Sequence, residues 1–194
     1  MPPSAPALLK QAQKCEFSSD PDKVRSALKI YWDFTRRKGP AKIVAEGWNG
    51  LSTILEQIED KNSSITFSDC QALGKGITRK NLNSWICLER ALQHDPEHAD
   101  ALYSVGYRHY QMKRYEAAVP FFERSFASSR KGYTAFHAAY LLAESLVSIA
   151  KKQRGAIRGE TLKRAINAYR LAKKVNHGLA AAMEIARKLR RLRL

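Results

Sequence analysis

Apolar positions recur at three- and four-residue steps along most of the chain, and each run ends at a residue that caps or breaks a helix. The sharpest case is Leu102, Val105, Gly106 and His109, followed after a turn at Lys113-Arg114 by Tyr115, Ala118, Phe122 and Ser125. Gly106 and Ala118 fall where two antiparallel helices would cross, since only small side chains let the backbones approach there. Upstream, Ala91 and Leu92 lead into Asp95-Pro96, and a proline cannot continue a helix. Asp20-Pro21 supplies an N-cap acceptor and a first-turn proline for the stripe Val24, Ala27, Leu28 and Tyr31, widened by Trp32 and Phe34. Gly39-Pro40 separates that stripe from Val44, Trp48, Leu51, Leu55 and Ile58. A polar loop at Lys61–Ser64 precedes a short helix within Thr66–Gly74, and Thr78 or Asn81 can cap a helix running to about His94.

Beyond Lys131-Gly132, a helix over Tyr133–Lys152 carries Phe136, Ala139, Tyr140, Ala143, Leu146 and Val147. The pattern then predicts a basic, glycine-containing loop at Gln153–Gly159, a helix over Glu160–Asn176, a stop at His177-Gly178 and a final amphipathic helix over Leu179–Leu194. Residues 1–19 read as a loose lead, with a short helix conceivable at Ala7–Lys14, and sheet signals are nearly absent.

The stretch from 88 to 127 resembles the tetratricopeptide repeat, a helix–turn–helix unit of about 34 residues with the signature W-x2-L-G-x2-Y, A-x3-F, P. Leu102 stands for the tryptophan, Val105 for the leucine and His109 for the tyrosine, while Gly106, Ala118 and Phe122 match. Trp48, Leu51, Ser52 and Leu55 follow the first half of the signature over 48–55, and Ala165, Tyr169 and Ala172 the second half over 160–176. The closing proline is missing after Phe126, and Pro120 removes a backbone donor early in the second helix. The resemblance implies an all-α, right-handed solenoid of antiparallel helix pairs. It implies one domain over 20–194, with its clearest repeat at 99–129 and a basic C-terminal cap over 151–194. It also implies a non-enzymatic adaptor that holds a partner protein segment in a concave groove. In that family the groove side would here be Asp100, Tyr103, Tyr107, Tyr110 and Gln111 on one helix and Thr134, His137, Leu141, Glu144 and Ser145 on the next. Tyr103 and Tyr107 stand where the subtype that clamps the acidic C-terminus of heat-shock chaperones has Lys and Asn, which argues against that ligand.

Charge adds a second surface. The formal net charge is +16, and residues 151–194 hold 14 Lys/Arg against Glu160 and Glu184, whereas residues 1–150 hold 20 against 16 acidic residues. Three quarters of the excess therefore lies in the last 44 residues. Lys163, Arg164, Arg170 and Lys174 lie opposite the packing stripe of one predicted helix, and Arg187, Lys188, Arg190 and Arg191 opposite that of the last. Such a surface solubilises the chain or meets a polyanion: a nucleic acid, an acidic protein or an anionic membrane surface. Nucleic-acid binding through these helices is the alternative to the adaptor reading, and a secretion chaperone of the same repeat type is a further one.

Other candidate chemistry weighs little. His94 and His98 are four apart, but Pro96 lies between them, so a shared metal is disfavoured. Gly74-Lys75-Gly76 lacks the spacing of a phosphate loop and follows no strand. Cys15, Cys70 and Cys87 are odd in number and form no CxxC pair, which fits free thiols in a reducing compartment, and nothing pairs a base with any of them. No catalytic, metal or cofactor site is expected. The N-terminus does not read as a secretory signal and no 18-residue apolar run occurs, so a cytoplasmic protein without a membrane span is the expectation.

Overall fold

The computed structural model describes residues 3–192, and every regular element among them is an α-helix. The chain divides into two compact units, residues 1–98 and 99–194, where the family resemblance implied one domain over 20–194. Among the described residues, no helix is long and apolar enough to cross a membrane.

The first unit holds α1 (Ala5–Cys15), α2 (Pro21–Arg36), α3 (Ala41–Glu59), α4 (Phe67–Gln71) and α5 (Ser84–His94). Asp20 caps α2 as its sequence requires, its carboxylate accepting from the Asp22 amide at 3.0 Å. α3 packs against α2 on one side and α5 on another, burying Leu28, Tyr31, Leu51, Ile54, Leu55 and Leu88. Gly50 makes the α2–α3 approach possible, since a Cβ there would overlap the Tyr31 ring.

Two expectations are corrected in this unit. Residues 3–19 are not a loose lead: α1 packs on α2 and α3, Ala12 is buried, and Tyr31 donates its hydroxyl proton to Glu16 at 2.5 Å. The cap of α5 is Asn83, which accepts from the Ile86 amide at 2.9 Å, rather than Thr78 or Asn81. Asn81 is committed elsewhere, for its side chain accepts from the Thr78 amide and donates to the Gly76 carbonyl, closing the turn that precedes the helix.

The second unit holds α6 (Ala99–Gln111), α7 (Tyr115–Ser128), α8 (Gly132–Ala150), α9 (Gly155–Val175), α10 (His177–Ala182) and α11 (Ile185–Arg191). From α6 to α9 each helix packs on the next, and α6 also touches α8. Phe122, Phe136, Leu146, Tyr169 and Ile185 are buried at the centre. A Cβ on Gly106 would lie 2.9 Å from Phe122 Cδ1, and Ala118 is fully buried, so the small residues do sit at the α6–α7 crossing.

Two boundaries differ from the sequence pattern here. The predicted loop at Gln153–Gly159 is mostly helical: Gly155 adopts φ +60°, which turns the chain directly into α9. The predicted final helix over Leu179–Leu194 is broken at Glu184, whose left-handed backbone (φ 51°, ψ 32°) separates α10 from α11 and places Ile185 in the core. Its last two positions lie outside the described residues.

Candidate functional site

The face shared by α6 and α8 gathers most of the tyrosines of the second unit. Asp100, Tyr103, Tyr107 and Tyr110 follow one another at three- and four-residue steps, which keeps them on one side of α6. Tyr103 and Tyr107 stack with centroids 6.0 Å apart and an interplanar angle of 13°. Tyr103 also meets His137 of α8 edge-on at 6.5 Å, and His137 contacts the exposed Tyr133 at 4.1 Å. At one end the Thr134 hydroxyl donates to the Asp100 carboxylate, tying α8 to α6. At the other, Tyr110 packs against Tyr115 at 5.5 Å. Burial pushes the Tyr110 phenol up, with the Glu144 charge adding to it, and lowers the His137 imidazole.

Beside this row lies a polar cluster built from three helices. Tyr169 of α9 donates its hydroxyl proton to the Glu144 carboxylate, and Lys188 of α11 donates to the same carboxylate and to the Tyr140 hydroxyl, the latter at 2.6 Å. The ammonium also lies 4.8 Å from the Tyr140 ring centroid. Burial opposes the Lys188 charge, but the hydrogen bonds to Glu144 and Tyr140 outweigh it and the pKa rises. Burial, then the Glu144 hydrogen bond, raises that of Tyr169.

The expected groove set is thus largely brought together, with exceptions. Asp100, Tyr103, Tyr107, Tyr110, His137 and Glu144 share the α6–α8 face half-buried, whereas Gln111 is exposed at the end of α6. Leu141 is a correction: it is only 8% exposed and belongs to the core, because the wide apolar face of α8 is clasped by α7 and α9. Ser145 is likewise fully buried. Tyr140, which periodicity assigns to packing, presents its hydroxyl to Lys188 and joins the face.

The expected polyanion surface divides. Lys188 is a correction, since its charge is consumed by Glu144. Arg164 pairs with Glu123 at 2.8 Å and Arg187 with Glu184 at 2.9 Å, both on the surface. Lys163, Arg170, Lys174, Arg190 and Arg191 are exposed. Lys174 lines a recess with Arg130 and Lys131, cations from the α7–α8 connection that helical periodicity could not place. His98 is buried with its Nε2 3.5 Å from Glu46 Oε1, while His94 is exposed, and no group of three metal-ligating side chains occurs among the described residues. Burial pushes the Cys70 thiol up to about 12, which suits an inert buried cysteine rather than a nucleophile.

Comparison with protein-family models, with curated proteins and with solved structures gives no match.

Proposed function

We propose that the protein is a non-enzymatic interaction module of tetratricopeptide-repeat type, a right-handed solenoid of antiparallel helix pairs. Its α6–α8 face receives a segment of a partner protein. The observation that carries this reading is the half-buried aromatic row Tyr103, Tyr107, Tyr110 on α6 beside His137 and Tyr140 on the adjoining α8. Tyrosines supply rigid contact area at low entropic cost and a hydroxyl for a peptide backbone. Glu144 and Lys188 neutralise one another at one end, so selectivity rests on aromatic packing and hydrogen bonds rather than on net charge. Tyr103→Ala with Tyr107→Ala should abolish capture of the partner, since anchors of this kind commonly contribute about 2 kcal/mol or more to binding. The circular dichroism spectrum should stay helical and the melt cooperative, though at a lower temperature, because both rings also pack on the core. A pair of substitutions that leaves capture intact would remove the face from the reading.

A second reading, nucleic-acid binding by the C-terminal helices, is favoured by one observation: Arg130, Lys131 and Lys174 converge on one recess, and α9, which carries Lys174, also exposes Lys163 and Arg170. Its mark would be affinity that falls steeply with salt and a slope flattened by Lys163→Gln with Arg170→Gln and Lys174→Gln.

A further inference from the structure

The first unit carries a different surface. Three recesses open along α2, α3, α5 and the turn at Gly74–Gly76, and they join in a row. Trp32 and Arg36 line both the first and the middle recess, and Trp48 and Arg90 line both the middle and the last. Lys29 and Arg37 extend the first, and Lys75 the middle. The volumes, about 540, 390 and 450 Å³, each suit a group of nucleotide size.

The cations along this row are held in place but not neutralised. The Arg36 guanidinium lies 5.7 Å from the Trp32 ring centroid, and that of Arg90 lies 4.7 Å from Trp48. Stacking on an indole fixes the plane of a guanidinium and leaves its N–H edge for an acceptor. Arg36, Arg90 and Lys75 are exposed and make no salt bridge among the described residues. Two carboxylates lie along the row, Asp33 and Glu89, and Glu89 already accepts from Trp85 Nε1 at 2.7 Å. A second observation points to an absent acceptor. Trp48 is only 6% exposed, yet its buried Nε1–H has no hydrogen-bond partner. A buried indole donor without an acceptor is costly, and such orphans call for an explanation.

We propose that this row is a binding groove for a short single-stranded nucleic acid. Its phosphodiesters meet Arg36, Lys75 and Arg90, and its bases enter the recesses between the arginine-covered indoles. Guanidinium forks match phosphate oxygens in pairs. Repetition of cation and aromatic along a line matches a strand whose charge and bases also repeat, as a compact anion does not. A duplex is too broad to lower its bases into recesses of this size. The Gly74-Lys75-Gly76 turn thus contacts phosphate as a loop bearing one lysine, without the architecture of a nucleotide-binding loop.

Isothermal titration calorimetry of the full chain with an eight-nucleotide oligothymidylate at about 50 mM salt tests this. Log affinity should fall with log salt at about 0.7 per phosphate neutralised, so Arg36→Gln with Arg90→Gln should lower the slope by about 1.4. The same pair should weaken binding at least tenfold, and Lys75→Gln should act alone in the same direction if the double variant is unstable. Lys10→Gln with Lys14→Gln, exposed on α1 and outside the row, should leave binding unchanged. Survival of binding in the groove variants, or its loss in the α1 variant, would overturn the assignment. So would equal affinity for thymidine monophosphate, a twelve-base-pair duplex or an oligoglutamate peptide.

Discussion

At position 106 an added Cβ would lie 2.9 Å from Phe122 Cδ1 and 3.2 Å from Phe121 Cβ, inside ordinary contact distance on both sides. Gly106→Leu should therefore cost about 1–3 kcal/mol, visible as a lower melting temperature, because a packed crossing cannot widen without losing its neighbours' contacts. A variant that melts with the parent would mean that α6 and α7 separate freely there. This residue was legible in the sequence because its neighbours at three- and four-residue steps define one face and a small residue on such a face has a steric meaning. Lys188 was not legible in the same way. The pattern put it with Arg187, Arg190 and Arg191 on a solvated side, but the left-handed turn at Glu184 rotates α11 against the preceding segment and aims the ammonium at Glu144. Leu141 failed for the opposite reason: a helix flanked on two sides buries more of its circumference than one stripe suggests.

Among the elements, those marked by local capping chemistry were readable and those ended by tertiary demand were not. Asp20-Pro21 announces α2 at its first residue, whereas α1 takes its stability from α2 and α3, which no window of residues 1–19 contains. Asn83 and Glu184 make the distinction testable. Asn83→Ala removes the oxygen that holds the Ile86 amide and should destabilise the first unit by about 1 kcal/mol. Glu184→Gly should do the reverse, raising the urea midpoint by the equivalent of about 0.5–1 kcal/mol, because glycine takes positive φ without the Cβ penalty. The pair lost with Arg187 is exposed and contributes little. A lower midpoint for Glu184→Gly would show that the side chain, not the backbone turn, fixes the break.

For the whole molecule, the division at His98/Ala99 means that a fragment of residues 99–194 should keep a helical spectrum and a cooperative melt, since Phe122, Phe136, Tyr169 and Ile185 all lie in its own core. A fragment without a melting transition would show that the unit does not stand by itself. The Tyr169–Glu144–Lys188 cluster sets an alkaline limit on it. The folded-state values of Tyr169 and Lys188 both lie above their unfolded ones, so this stabilisation is fully present below about pH 10 and is lost as pH rises beyond it. Tyr169→Phe should flatten the fall of stability above pH 10 and lower stability at neutral pH, as chemical denaturation at several pH values would read. Seven of the eight tyrosines belong to the second unit, and all three tryptophans, Trp32, Trp48 and Trp85, to the first. The chain is therefore colour-coded. Light absorbed by indole alone is emitted from residues 1–98, so one unlabelled sample can tell in which half a ligand has landed and which half has come apart first.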